Sequence, residues 1–159
     1  MSHARIDYPD FKALAPDIHQ AVFALGQLAA KAGIDKQLLE LIKVRASQIN
    51  GCAFCLQYHI LQGETLGVPA DKFNLVAIWR EAPQFSKRGR AALAWTEALT
   101  NLPGGVSDEL YAEASAEFSE KELIYLTSAI TTINSWNRFG AAYRWTPPER
   151  QVKSRAAAS

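Results

Sequence analysis

Two cysteines three positions apart, Cys52 and Cys55, follow the Asn50-Gly51 turn signal and open a helical stretch, and His59 comes one helical turn after the second of them. Unpaired backbone N–H groups and the positive end of the helix dipole stabilise a thiolate at such a place. The thiolate is the nucleophile, so a lowered pKa puts more reactive sulfur in play at neutral pH. The second cysteine can then attack the oxidised sulfur and close a disulfide. His59 shares a helix face with Cys55, about 6 Å along the axis, which suits an imidazole exchanging protons with a thiol. On this reading either cysteine could be the first to attack; a plain helix-terminus argument allows Cys52.

A carboxylate completes the constellation if the chain folds back at Asn50-Gly51. In an antiparallel helix pair about that turn, His59 sits level with Lys43, and Glu40 lies within one turn of it. Glu40 stands between Leu39 and Leu41. It is therefore either on an outer face or held for a purpose. Beside His59 its charge favours the imidazolium and raises the imidazole pKa.

Other chemistries fit these residues less well. Cys52, Cys55 and His59 are acceptable zinc ligands, but a closed structural site needs four, and the sequence has only two cysteines. A zinc knuckle spaces its histidine one residue further on and adds a later cysteine where this chain has Glu64. Covalent haem attachment needs a histidine directly after the second cysteine, where Leu56 stands. Thioredoxin-like chemistry expects a βαβ setting, and no run of period-2 alternation appears. Two cysteines this close cannot staple distant parts of a fold, and in a reducing compartment such a pair is more often catalytic or metal-binding.

The elements that must position these residues read as helices almost throughout. Pro16-Asp17 open a run to Ala32 that Gly33 stops, with Ile18, Val22, Leu25 and Leu28 as its apolar positions. Asp35 caps a helix from Lys36 to about Asn50, and a third spans Ala53 to Leu66 before Gly67. Pro69 to Trp79 fits a short fourth, Ser86 caps a fifth reaching about Leu102, and Ser107 caps a sixth. Ser119 with Glu122 makes a capping box for a long last helix, Glu120 to about Tyr143, ended by Pro147-Pro148. The fold class is all-α, a bundle of six to seven helices in one domain over residues 1–146, with 147–159 as a flexible tail.

Composition agrees with a globular domain: 159 residues, 48% apolar and 21% charged. The net charge of +1 gives no electrostatic reason to bind nucleic acid or an anionic membrane. No stretch has the ~18–20 apolar residues of a membrane helix, and residues 1–10 lack a signal-peptide core. The expectation is a cytoplasmic protein. His3 and His19 read as surface or packing residues, and Lys87-Arg88-Gly89-Arg90 as a solvated face. Trp136, Phe139, Tyr143 and Trp145 are more aromatic surface than one bundle end easily hides, which points to a subunit interface for part of it.

Glu40, eleven residues, Cys52-x-x-Cys55, three residues and His59 together resemble the signature of the alkylhydroperoxidase AhpD-like family, within the carboxymuconolactone decarboxylase superfamily. Arg45-Ala-Ser-Gln-Ile-Asn-Gly-Cys52 and Asn134-Ser-Trp136-Asn-Arg138 resemble it too, and the helical pattern fits over roughly residues 10 to 145. The resemblance implies an AhpD-like bundle that assembles as trimers or hexamers. It implies hydroperoxide reduction with no cofactor or metal, in which Cys55 attacks the peroxide, Cys52 resolves, and Glu40 and His59 relay protons. A dithiol such as a lipoylated protein would then recycle the pair. The best-known members place a second histidine between the cysteines, where this chain has Phe54. Two other classes stay open: a lactone decarboxylase-type enzyme, which has no need of the cysteine pair, and a non-catalytic zinc-binding or interaction protein.

Overall fold

The computed structural model describes residues 3–150, and within them the ordered elements are helices without strands. The expected tail beyond residue 150 lies outside the described residues. Eight α-helices follow one another: α1 (Tyr8–Leu14), α2 (Pro16–Lys31), α3 (Lys36–Asn50), α4 (Ala53–Thr65), α5 (Ala70–Leu75), α6 (Lys87–Thr100), α7 (Asp108–Glu117) and α8 (Glu120–Tyr143). Short 3-10 segments at Val76–Glu81 and Leu102–Gly104 follow α5 and α6.

The helix starts are where side-chain oxygens or sulfur can accept orphan N–H groups. Asp35 accepts from Leu38 N, Ser86 from Gly89 N and Ser107 from Leu110 N, while Ser119 and Glu122 form the reciprocal capping box. Cys52 itself occupies the N-cap of α4. Gly51 takes a left-handed conformation, φ 65°, between α3 and α4. A β-carbon is disfavoured there, so glycine allows the chain to reverse within two residues. The two helices run back along each other.

The core is built from the facing sides of α3, α6 and α8, where Ile42, Val44, Leu93, Leu126 and Ile130 are fully buried. Each such side chain contributes about 1.5–3 kcal/mol on leaving water. Gly63 on α4 lets Phe73 lie against the helix, since a β-carbon there would come within 2.5 Å of the ring.

Two elements depart from the sequence reading. The segment expected as one helix over Pro69–Trp79 is α5 followed by a 3-10 turn, because Ile78 leaves helical geometry (φ −121°, ψ 32°). The other departure is α1, which the sequence reading lacked. Seven residues are too few for a helix that stands alone, and tertiary contacts hold it. Phe11, 6% exposed, packs on Trp136, Phe139, Tyr143 and Trp145. Arg5 N donates to Tyr143 O, Arg5 Nη1 to Ala142 O, and Asp7 accepts from the backbone and hydroxyl of Thr146. The aromatic surface at the end of α8, part of which was expected to pack in the core and part to meet another subunit, is covered in part by the chain's own N-terminal helix.

The basic cluster differs as well. Arg88 binds Glu122 and the Glu117 carbonyl and lies over the Phe118 ring, and Arg90 donates to the carbonyls of Arg80, Ala82 and Phe85. These two cations tie loops to helices instead of forming a solvated face; Lys87 is exposed.

Candidate active site

The α3–α4 reversal brings together all four residues singled out in the sequence. Cys52 at the N-cap of α4 and Cys55 one turn on are both reduced and buried, each 3% exposed, with their sulfurs 2.8 Å apart. His59 Nδ1 lies 2.7 Å from Glu40 Oε2 across the helix pair. The other carboxylate oxygen, Oε1, accepts from Lys43 Nζ at 2.7 Å. Glu40, 7% exposed, is therefore held for a purpose and is not on an outer face.

The two sulfurs are electrostatically unequal. The hydrogen bond from Cys55 brings the Cys52 thiol down to about 7, against the opposing effect of burial. The backbone N–H groups of Cys55 and Phe54 and the Asn137 side chain add to that lowering. Cys55 moves the other way: the bond it donates to Cys52, its burial and the negative charge on Cys52 all keep its proton in place. Above about pH 7 the pair rests with the charge on Cys52 and the proton on Cys55.

The carboxylate and imidazole also settle by competition. Burial alone would raise the Glu40 carboxyl, but the hydrogen bond and charge of His59 and the Lys43 ammonium overcome it and hold it below the ordinary range. His59 comes out lowered, because burial of the ring outweighs the Glu40 carboxylate and the Lys43 charge also opposes protonation. Glu40 does raise this imidazole, as expected, but the net shift is downward. Desolvation wins.

Cys55, His59, Glu40 and Lys43 line one cavity of about 160 Å³, the scale of a cavity that holds a single benzene ring. Its remaining walls are largely aromatic: Tyr8 from α1, Phe23 from α2, Phe54 and Tyr58 from α4, Trp136 from α8, and Trp145. Cys52 is not among the lining residues; it lies behind Cys55 against α8. There Gly140 makes the room, since a β-carbon on it would sit 2.7 Å from Cys52 Sγ and 3.6 Å from Cys55 Sγ. Asn137, 1% exposed, is fixed by donating to Ser47 Oγ and accepting from Asn50 Nδ2.

Sequence reasoning missed Lys43 as the second partner of Glu40, the Asn137–Ser47 support, Gly140 and the whole N-terminal wall. Asn137 lies inside the segment Asn134 to Arg138 already singled out, and a glycine within a long helix is itself a signal of close approach. Tyr8 carried no signal. Arg45, in the other flanking segment, is directed away from the thiols to Glu97, which also binds Trp79 Nε1 and Arg80. His19 is a packed residue, stacked on Phe23 and bonded to the Tyr8 hydroxyl. Among the described residues no group of three or more His, Cys, Asp or Glu side chains is arranged to hold a metal ion, and no helix is long and apolar enough to cross a membrane.

Comparison with known proteins places this geometry. The model of the carboxymuconolactone decarboxylase family matches residues 16–98, which covers α2 through the motif to most of α6. The uncharacterized protein YdfG of Bacillus subtilis (strain 168) is 32% identical over 130 residues, 81% of this chain and 88% of that one. A crystal structure of a protein of unknown function from Agrobacterium tumefaciens superposes with a TM-score of 0.86 at 35% identity, over 93% of this chain and 100% of that one. An uncharacterized peroxidase-related protein from Ralstonia eutropha, described as an alkylhydroperoxidase AhpD core, shares the fold at a TM-score of 0.77 and 19% identity, over 88% of this chain and 75% of that one. With its matched motif region, its all-helical AhpD-like fold and a relative of this identity, the chain belongs to the carboxymuconolactone decarboxylase family.

Proposed function

We propose that this protein is a thiol-dependent peroxidase that reduces an organic hydroperoxide at the Cys52–Cys55 pair. One observation carries the reading: two reduced sulfurs lie 2.8 Å apart, and the one facing the cavity shares it with a carboxylate-bound histidine. A lactone decarboxylase on this scaffold would have no use for the cysteine pair.

Access and charge divide the work. Cys55 lines the cavity and attacks, although its resting state is the thiol; it gives its proton to the neutral His59 as the peroxide arrives. Its sulfur bonds the distal peroxide oxygen, the O–O bond breaks, and the alkoxide departs with the electron pair and takes up a proton. Cys55 is then a sulfenic acid whose hydroxyl carries the original peroxide hydrogen. Cys52, already a thiolate, attacks that sulfur without a deprotonation step and forms the disulfide. The expelled hydroxide takes the proton held on His59 and leaves as water. Two thiol sulfurs have lost two electrons, and the peroxide has gained them. A dithiol such as a lipoylated protein returns them by exchange. Glu40 keeps His59 oriented and more basic than burial alone would leave it.

The aromatic walls favour a substrate with an apolar organic group. Assembly as a trimer or hexamer, which the resemblance implies, belongs to the same proposal.

The test is turnover. Catalytic amounts of the reduced chain, with dihydrolipoamide as donor, should consume tert-butyl hydroperoxide, and Cys52→Ser or Cys55→Ser should abolish the cycle. Consumption no faster than the donor achieves alone contradicts the reading.

A further inference from the structure

The proposed chemistry leaves a proton unaccounted for within the motif. Reducing a hydroperoxide to an alcohol and water takes two electrons and two protons. A cysteine pair resting as one thiol and one thiolate brings a single proton, and His59 returns that one to the hydroxide. The alkoxide needs another source. Phe54, between the cysteines, has no ionisable group.

The wall that the N-terminal helix gives the cavity holds a candidate. Tyr8 lines the same cavity as Cys55 and His59, and its hydroxyl lies 2.8 Å from His19 Nε2. The Tyr8 ring is wedged against Phe54 at 5.0 Å and Trp145 at 5.0 Å between centroids. The backbone beside it is anchored to the end of α8 through Arg5 and Asp7. His19, 8% exposed, is fixed between Phe23 and Trp136, with ring centroids at 6.1 Å and 5.5 Å. A phenol that lines the reacting sulfur's cavity is thus held in hydrogen-bond contact with an imidazole from α2 behind it.

We infer that Tyr8, oriented by His19, donates the proton that the departing alkoxide takes, so that the site has a proton donor besides the Glu40–His59 pair. In the step, the phenol O–H bond breaks as the alkoxide oxygen forms its own O–H bond. The phenolate regains a proton from the His19 Nε2–H as His19 Nδ1 takes one from solvent, so the imidazole stays neutral throughout. Burial, reinforced by the charges of Tyr58 and Cys55, pushes the Tyr8 hydroxyl above its ordinary value, so it stands ready as a neutral donor. Burial, with the Lys12 charge, pushes His19 below its own, so the imidazole is neutral and able to pass a proton through. This rests on the peroxidase reading and extends it to residues outside the cysteine motif.

Leaving-group dependence tests the inference. Reduced wild type, Tyr8→Phe and His19→Gln are mixed in single turnover with tert-butyl hydroperoxide, whose alkoxide needs a proton, and with perbenzoic acid, whose carboxylate leaves without one. Tyr8→Phe keeps the ring and its packing. It should slow the alkoxide reaction by about 10²-fold, and by at least ten times more than it slows the peracid reaction; His19→Gln should diverge in the same direction. A merely structural role would slow both oxidants equally. Equal slowing, or none, in Tyr8→Phe overturns the inference and leaves the peroxidase reading intact, and a His19→Gln chain without divergence removes His19 from it. A wild type inert to both oxidants refutes the peroxidase reading itself, and the inference falls with it.

Discussion

Replacing Gly140 with alanine should raise the Cys52 pKa without adding or removing an ionisable group. The new methyl carbon would stand 2.7 Å from Cys52 Sγ and 3.4 Å from Trp145 Cε3. Ordinary van der Waals contact begins at 3.4 Å, so the sulfur must retreat, or α8 must shift, by about 0.7 Å. Either response loosens the contacts that hold the thiolate: the Cys55 sulfur at 2.8 Å, the already long bond from Cys55 N at 3.4 Å, and Asn137, one turn earlier on α8. Together these contacts bring Cys52 from 9.0 to about 7. Losing half of that shift returns the thiol by about one unit, ~1.4 kcal/mol of thiolate stabilisation. The thiolate fraction at pH 7 would fall from about one half to about one tenth. Folding stability should fall by no more than about 3 kcal/mol, because overpacking costs about 1–3 kcal/mol and alanine returns up to ~1 kcal/mol of helix propensity. Ultraviolet absorbance of the thiolate against pH, with urea unfolding alongside, measures both. A Gly140→Ala chain that titrates as the wild type does and is equally stable would refute the claim that α8 sets the charge on Cys52.

Three further outcomes follow from the same geometry. Glu40→Gln removes the charge that opposes burial at His59, so single-turnover oxidation should slow at least about tenfold, ~1.4 kcal/mol of transition-state stabilisation. Combined with His59→Phe, it should cost less than the sum of the two, and a wild-type rate for Glu40→Gln from pH 6 to 9 would reduce the relay to His59. In Cys52→Ser, Cys55 should react once and stop as a trappable sulfenic acid, whereas Cys55→Ser should show almost no first reaction; mass spectrometry after dimedone labelling would reveal the reverse assignment. The depressed Cys52 stabilises the fold above the unfolded value near 9 and loses that contribution as pH falls toward about 7; the raised Cys55 keeps a proton that the unfolded chain releases at high pH. The stability difference between the reduced chain and its Cys52→Ala/Cys55→Ala variant should therefore rise from pH 7 to 9 and decline above, and a flat difference would contradict the charge asymmetry.

Most helices were legible because their signals are local. Asp35, Ser86, Ser107 and the Ser119–Glu122 box each mark a start within four residues, and Asn50-Gly51 marks the reversal. That reversal alone was enough to bring Glu40 to His59 by counting outward from the turn. The unread parts depend on contacts distant in sequence. Seven residues of α1 carry no periodic pattern of their own and are helical because Phe11 and Asp7 meet the far end of α8. The Asn137–Ser47 and Gly140–Cys52 contacts join positions about ninety residues apart, and no spacing rule reports them. The shift at His59 was legible only in part, because the carboxylate that raises it is visible in the sequence and the burial that outweighs it is not.

The most direct test of the account is a thiol count on the fully reduced wild-type chain before and after one equivalent of tert-butyl hydroperoxide. The account predicts loss of both thiols per chain as an intramolecular Cys52–Cys55 disulfide, with dithiothreitol restoring them. Two thiols remaining after the peroxide is added, or the loss of one with no disulfide formed, would contradict it.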